Sequence, residues 1–224
     1  MAELPKHAKV VVIGQGGIVG ASVVHHLIEE GWDNIVGLEK SAIPTDIGST
    51  SHASDFCYMT THDKLNVFTS TYSREFYKKR GNYIEIGGME VARKDDDERM
   101  LELIRKVGSG KAFGTNAHMI SAAEAKEKFP LLEESEIQGA LWDPDAGLVT
   151  PRSQKVAGDL VDEAVASGKL KAFAYTPATK ILVEDGVAVG VETPKGTIMA
   201  DYLVLCAGIW GSLVSNTADV KLPL

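Results

Sequence analysis

Two stretches of small residues carry most of the chemistry this sequence offers. The first, Gly14-Gln15-Gly16-Gly17-Ile18-Val19-Gly20, follows the apolar run Val10-Val11-Val12-Ile13. A dinucleotide's pyrophosphate needs close backbone approach and the free N–H groups of a helix N-terminus, and glycine permits both. The usual spacing is GxGxxG. Here Gly14, Gly16 and Gly20 form GxGxxxG, while Gly17 and Gly20 keep the last half of the usual pattern. Either the loop holds one extra residue, or Gln15 occupies the place of the first glycine. Glu39 stands 25 residues after Gly14, close to the ~20-residue offset of the acid that binds ribose hydroxyls. An acid there favours an unphosphorylated adenosine ribose and disfavours NADP. The second stretch, Gly48-Ser49-Thr50-Ser51-His52-Ala53, offers hydroxyls and one imidazole.

Other reactive types are less suggestive. Cys57 and Cys206 lie 149 positions apart, so neither a disulfide framework nor a CxxC metal site is available. Cys206 reads as an inert buried thiol. His25 and His26 are adjacent on a helix, about 100° apart, and cannot share a ligand face. The acidic run Asp95-Asp96-Asp97-Glu98 reads as a solvated helix start, and no metal site is expected. Neither His62 nor His118 has an evident partner, and Tyr58 and Trp142 fit either a core or a pocket wall.

The 224 residues correspond to about one and a half ordinary domains. With 44% apolar and 24% charged residues, the chain can bury a real core. A net charge of −8 argues against a nucleic-acid footprint. No apolar run approaches the ~18 residues of a membrane span, and Met1–Val10 holds no secretory h-region. A soluble protein of a reducing compartment is expected, cytoplasmic or, in a eukaryote, in the mitochondrial matrix.

The elements that must position these residues follow from periodicity. A buried strand ends at Gly14, and a helix runs from Ile18 to Glu30 with the stripe Val19, Val23, Leu27 and with Val24 and Ile28 beside it, closed by Gly31. A second buried strand, Asn34–Glu39, completes a βαβ unit. Residues 41–60 read as an extended loop giving way to a helix after His52. A longer helix is expected over 62–80, and two short strands, Tyr83–Ile86 and Met89–Val91, around Gly87-Gly88. A further helix starts near Asp95, uses Leu101, Leu103 and Ile104 as its apolar face, and stops before Gly108. Ser121 and Glu124 form a capping box for a short helix ended by Pro130. Ile137–Trp142 reads as a strand. Thr150-Pro151 supplies an N-cap and a first-turn proline for a helix closed by Gly168. Strands follow at 170–175, 180–184, 187–193, 197–200 and 201–206. The fold class is α/β. The domains read as a first nucleotide-binding segment over 1–80, the first part of a substrate domain over 81–144, and a second nucleotide-binding segment over 145–224.

An NAD-binding domain would continue with helical crossovers. The antiparallel meander at 180–200 instead belongs to flavoprotein folds of the glutathione-reductase type. Together with Val11–Gly20, Glu39-Lys40, Gly48–Ala53, Gly87–Ala92 and Cys206–Gly211, taken in this order, the chain resembles the D-amino-acid-oxidase-like FAD oxidoreductases. Within that family it is similar to dimethylglycine oxidase/dehydrogenase and sarcosine dehydrogenase. Asp143–Leu148 and the meander match the same style, and the resemblance spans nearly the whole chain.

The resemblance implies a Rossmann-like FAD-binding domain with a β-meander crossover and an inserted, partial α+β substrate domain. Gly14, Gln15, Gly16, Gly17, Ile18 and Val19 would line the pyrophosphate. Glu39 would hold the adenosine ribose, with Lys40 beside it, and Ser49 and Thr50 would sit near the phosphates and ribityl chain. Ala178 would present its backbone to the adenine. Ala207 and Gly208 would admit the cofactor closely, with Trp210 packed nearby. His52 would be joined covalently to the flavin's 8α-methyl carbon, since a neutral imidazole nitrogen is nucleophilic near pH 7. The implied reaction is oxidation of the N-methyl C–N bond of a small amine such as dimethylglycine or sarcosine, with hydride transfer to flavin and demethylation. The implied partners are oxygen or an electron-transfer protein as acceptor, and a folate-dependent C-terminal domain in a full-length protein. No catalytic residue can be named. Residues 1–224 are expected to lack the last parts of both domains and to show no turnover alone. Two other functions stay open. One is a different amine, amino-acid or glycerol-phosphate FAD oxidoreductase; the other is a non-catalytic FAD-binding module that needs a partner chain.

Overall fold

A computed structural model of the chain describes residues 3–223. Strand β1 (His7–Ile13) is buried from Val10 to Ile13 and ends at Gly14, whose φ of +85° starts the turn. Helix α1 (Ile18–Glu29) follows. Its buried residues are Gly20, Ala21 and Val24; Val24 lies on the expected apolar face, but the stripe beside it is corrected, because Val19 is 63% exposed. The cause is close packing: a Cβ on Gly20 would stand 2.3 Å from the Gly14 carbonyl oxygen. The helix therefore rests on its smallest residues and turns Val19 outward. Gly31, in the left-handed region, closes it through Gly31 N–H to Ile28 O and Trp32 N–H to Leu27 O.

Strand β2 (Ile35–Leu38) is fully buried. The expected helix after His52 is instead one turn before it, α2 (Ser49–His52), and Ala53 is extended. Ser51 Oγ and His52 Nδ1 both bond the Gly48 carbonyl, which closes the turn at the histidine.

The chain then forms a separate compact unit, Ser54–Thr150. It contains β3 (Phe56–Cys57), α3 (Lys64–Lys79), β4 (Tyr83–Glu85), β5 (Gly88–Arg93), α4 (Asp97–Ala112), β6 (His118–Ile120), α5 (Ala122–Lys128), β7 (Ile137–Asp143) and β8 (Gly147–Val149). These strands make two three-stranded sheets, β3-β8-β4 and β5-β7-β6. Asp63 caps α3, and Ser121 with Glu124 forms the capping box of α5. The α4 reading needs two corrections. The helix runs through Gly108 to Ala112, and it buries Leu103, Val107 and Gly110, while Leu101 and Ile104 are about half exposed. Gly110 packs so tightly that a Cβ would lie 2.5 Å from Thr115 Oγ1, and the glycine with positive φ that follows the helix is Gly114, not Gly108. Strands β3, β6 and β8 have two or three residues each, too short to show a period of two. At the Gly87-Gly88 bend, a Cβ on Gly87 would fall 2.1 Å from the Trp142 ring, so only glycine admits that indole.

From Pro151 the chain returns to the first unit. Helix α6 (Ser153–Ala166) has Arg152, not Thr150, at its N-cap. Thr150 is tied instead to Asn82, through its N–H to the Asn82 carbonyl and its own carbonyl to Asn82 Nδ2. Strands β9 (Leu170–Phe173), β10 (Lys180–Glu184), β11 (Val187–Thr193) and β12 (Gly196–Leu205) complete a six-stranded sheet ordered β10-β11-β12-β1-β2-β9. The two strands expected at 197–200 and 201–206 are one. Its beginning pairs antiparallel with β11, and from Met199 to Leu205 it runs parallel to β1. Because this strand serves both the meander and the parallel sheet, one core joins Val11, Val36 and Leu38 to Ile181, Val191 and Ile198. Each such buried side chain stabilises by roughly 1.5–3 kcal/mol. Helices α1 and α6 pack on each other. A short turn, Gly208–Trp210, then leads to α7 (Gly211–Ser215). Among the described residues no helix is long and apolar enough to cross a membrane.

The sequence reading places domain boundaries near residues 80 and 144, whereas the compact units divide at Ala53/Ser54 and Thr150/Pro151. Helix α3 and strand β4 belong to the second unit because β4 pairs with β8.

Candidate functional site

Strands β12, β1 and β2 end level with one another, since Ile13 pairs with both Leu205 and Leu38. In open α/β sheets the crevice beyond these carboxyl ends is where ligands bind. Here it is a cavity of about 430 Å³, within the ~300–1,000 Å³ of small-molecule and cofactor sites. Its walls come from the glycine turn, the ends of β2 and β12, the Thr45–Ala53 segment, Ser153 and Thr176–Ala178.

Gly17 is the N-cap of α1 and brings no side chain to close the helix's first turn. The Ile18 N–H donates to the Thr50 hydroxyl oxygen at 3.0 Å. A helix start with free N–H groups and no carboxylate cap attracts anions. A Cβ on Gly17 would meet nothing nearer than Thr50 Oγ1 at 3.5 Å, an ordinary contact, whereas one on Gly14 would lie 2.5 Å from the Cys206 carbonyl oxygen. The turn is therefore tight at Gly14 and open at Gly17, where a phosphate would approach.

The Glu39 carboxylate is 6% exposed and lines the cavity. Oε2 accepts the Gly16 N–H at 3.1 Å; Oε1 accepts the Ser41 N–H at 3.1 Å and the Ser41 hydroxyl at 3.3 Å. A carboxylate has about four acceptor positions, so one is left for a hydroxyl in the cavity. Next to it, Lys40 Nζ lies 3.3 Å from the centre of the Trp210 ring, a cation–π contact between two lining residues.

The structure brings Gly14, Gly17, Ile18, Val19, Glu39, Lys40, Ser49, Thr50, Ala178, Ala207, Gly208 and Trp210 to this one cavity. Three expected residues do not line it. Gln15 is fully buried, with its amide against Gly37, where a Cβ would be 2.6 Å away. Gly16 is buried and touches the site through its N–H to Glu39 and its carbonyl, which accepts the Thr45 N–H at 2.9 Å. His52 is exposed, between the lining residues Thr50 and Ala53. The glycine-turn alternatives resolve as one extra residue: Gly14 makes the turn, Gly17 starts the helix and Gly20 packs it. Lining residues not expected from sequence include Thr45, Ser153, Thr176 and Pro177. Proline beside Ala178 was a usable signal; Ser153 comes from 114 residues after Glu39 and had none.

The remaining candidates have partners elsewhere. His25 Nε2 is 3.4 Å from Glu29, His62 Nε2 is 3.1 Å from Glu102, and His118 Nδ1 is 3.1 Å from the Asn116 carbonyl. Asp96 caps α4. Tyr58 and Trp142 pack against cores of the second unit. Burial raises both cysteine thiols, that of Cys57 with help from Asp55; Cys206 is half-buried and lines the cavity. Among the described residues no group of three or more His, Cys, Asp or Glu could hold a metal ion.

Human mitochondrial sarcosine dehydrogenase is 32% identical over 234 aligned residues, covering 99% of this chain and 25% of that protein. The mouse mitochondrial pyruvate dehydrogenase phosphatase regulatory subunit is 31% identical, with 99% and 25% covered. The chain thus spans about a quarter of the length of these curated relatives. The crystal structure of L-proline dehydrogenase from P. horikoshii superposes with a TM-score of 0.87 at 29% identity, covering 97% of this chain and 57% of that one. The profile of the family described as FAD dependent oxidoreductase (DAO) matches residues 9–224, and the chain belongs to that family of FAD-dependent oxidoreductase enzymes.

Proposed function

We propose that this chain carries the FAD-binding part of an amine oxidoreductase whose substrate is a small secondary or tertiary amine, an N-methylated glycine such as sarcosine or dimethylglycine. The observation that carries the reading is one cavity in which the side-chain-free start of α1 faces the Glu39 carboxylate. The α1 N-terminus would hold the pyrophosphate, with the Thr50 hydroxyl turning from Ile18 N–H to a phosphate oxygen. Glu39 would accept a ribose hydroxyl while Gly16 and Ser41 keep its carboxylate oriented. Ala178 would face the adenine, and Val19 and Ile209, 63% and 72% exposed at the cavity, offer apolar surface to a flat ring. When bound, the flavin supplies the two-electron acceptor for the hydride leaving the amine's methyl group. Sarcosine and L-proline, named in two of the relatives, are both secondary amines, which supports this substrate class.

His52 is the proposed attachment point for the flavin. Its Nδ1 lies 3.0 Å from the Gly48 carbonyl, which can only accept. Ser51 Oγ lies 2.9 Å from the same nitrogen, so Nδ1 is engaged within the turn and Nε2 would be the nitrogen offered to the flavin. The Ser54–Thr150 unit is proposed to contain the start of the substrate domain. Oxygen or an electron-transfer protein would take the electrons, and a folate-dependent domain would receive the one-carbon unit in a longer protein. The test is a visible spectrum of the purified protein before and after acid precipitation. A flavin spectrum that stays with the pellet supports both the cofactor reading and attachment. Colour released to the supernatant removes attachment, and no FAD uptake at all removes the site assignment. A panel of amines, amino acids and glycerol phosphate, scored by flavin bleaching, then identifies the substrate.

The likeness to a regulatory subunit favours a second reading, in which the chain binds FAD and acts through a partner. Full FAD occupancy with no bleaching by any amine, together with tight binding to a second chain, would select it.

A further inference from the structure

The wall that would face the adenine is held by a residue outside the cavity. Strand β9 stops at Phe173, and the chain turns through Tyr175, which has a φ of +50°. A non-glycine residue persists in this left-handed region only when its surroundings fix it. Three hydrogen bonds do so from the β2 side and within the turn: Tyr175 N–H to Ser41 O at 2.9 Å, Thr176 N–H to Glu39 O at 2.7 Å, and Thr176 Oγ1 to Ala174 O at 2.8 Å. From the other side comes Lys195, on the turn between β11 and β12. Its ammonium donates to Thr176 Oγ1 at 2.6 Å and to Ala174 O at 3.3 Å, so it grips the residues on both sides of Tyr175. Thr176 is fully buried, and Thr176, Pro177 and Ala178 line the cavity.

We propose that Lys195 is a positioning residue for the adenosine end of the site: it holds the left-handed turn at Tyr175 and thereby the Thr176-Pro177-Ala178 wall. The inference rests on the FAD reading above. The charge matters because a hydrogen bond from an ammonium is about twice as strong as one between neutral groups. The Thr176 hydroxyl spends its one proton on Ala174 O, so the ammonium is the donor that satisfies the hydroxyl's own lone pair and adds a second bond to Ala174 O. Without the lysine, Tyr175 relaxes toward φ below zero and the wall moves away from Glu39.

The experiment measures the dissociation constants of ADP, which carries only the adenosine half, and of FAD by calorimetry on the parent protein, Lys195→Met, Tyr175→Gly and the double variant. Lys195→Met should weaken ADP and FAD alike, by roughly 3- to 10-fold. Adding Tyr175→Gly should bring both back to within about twofold of the parent, because glycine takes the left-handed conformation without strain. A lysine acting only as general structure would not be rescued by a glycine at 175. Parent-like affinity in Lys195→Met, or a loss that Tyr175→Gly does not recover, overturns the proposal and leaves the FAD reading standing. A parent protein that binds neither ADP nor FAD overturns the reading and the proposal together.

Discussion

The two compact units handle a buried carboxylate in opposite ways. Glu39, in the unit built on the parallel sheet, is held by the Gly16 N–H and by the N–H and hydroxyl of Ser41, and it opens on a cavity. Asp143, in the Ser54–Thr150 unit, is fully buried, and backbone N–H groups of Met59, Thr60 and Asp145 surround it. Other charges in that unit also find each other: Arg74 bonds Glu75, Glu85 and Asp145, and Glu90 bonds Arg99 and Lys106. A carboxylate closed on all sides organises its own fold. One that keeps an acceptor free toward open space is available to a ligand. The same contrast applies to glycine: Gly87 and Gly110 make room for Trp142 and Thr115, while Gly17 leaves room for something outside the chain.

Several substitutions would break or sharpen this comparison. The largest effect is expected from Gly20→Val, because its Cβ position is already in collision with the Gly14 carbonyl. It should cost about 3 kcal/mol or more in urea unfolding and abolish FAD retention on gel filtration. Asp143→Ala should cost about 3 kcal/mol, leaving three N–H groups without an acceptor, yet leave FAD affinity within about twofold of the parent in the fraction that folds. A large loss of affinity there would blur the distinction between the units.

Lys106→Met comes next and adds a pH dependence. Burial alone would raise the Glu90 carboxyl, but hydrogen bonding to Lys106 and the Arg99 guanidinium outweigh it and hold it below the ordinary glutamate range. A depressed acid contributes stability that is complete above its unfolded value and is lost as pH falls through its folded value. In the parent this contribution should decline as pH falls from the ordinary glutamate value through the lowered folded one. The variant should be about 2 kcal/mol less stable at pH 7 and should unfold at higher pH in an acid titration followed by circular dichroism. The smallest effect, opposite in sign, is expected for Gln15→Met. Both amide atoms of Gln15 are buried without a hydrogen-bond partner, so an apolar side chain of similar shape should stabilise by about 1 kcal/mol and raise the melting temperature by about 2–4 °C. A destabilised Gln15→Met would mean that the buried amide is satisfied after all.

The parallel half of the fold is legible because its signals are local and strong. Val10–Ile13 and Ile35–Leu38 are apolar runs, and Gly31 and Gly168 sit at helix ends with positive φ; in the other unit, the Ser121–Glu124 box is as local, built within four residues. The less legible elements depend on contacts far away in sequence. Helix α4 passes Gly108 and buries Leu103 and Val107 rather than Leu101 and Ile104, because the sheet it meets selects the face. Thr150 gives up a helix cap for Asn82, 68 positions earlier.

By itself the sequence determined the class of site. Glycines that allow close backbone approach, an acid at the end of the next strand and a hydroxyl-rich loop all follow from residue type and spacing, because each requirement is met within one βαβ unit or the loop directly after it. Only the tertiary structure decided which of those residues face the cavity. Gln15 turns inward because Gly37 leaves it space, Gly16 serves Glu39 through its N–H, and His52 lies outside the walls. The same is true of Thr176 and Lys195. Their roles depend on where a left-handed tyrosine sends the chain, and long-range hydrogen bonding, not local pattern, sets that direction.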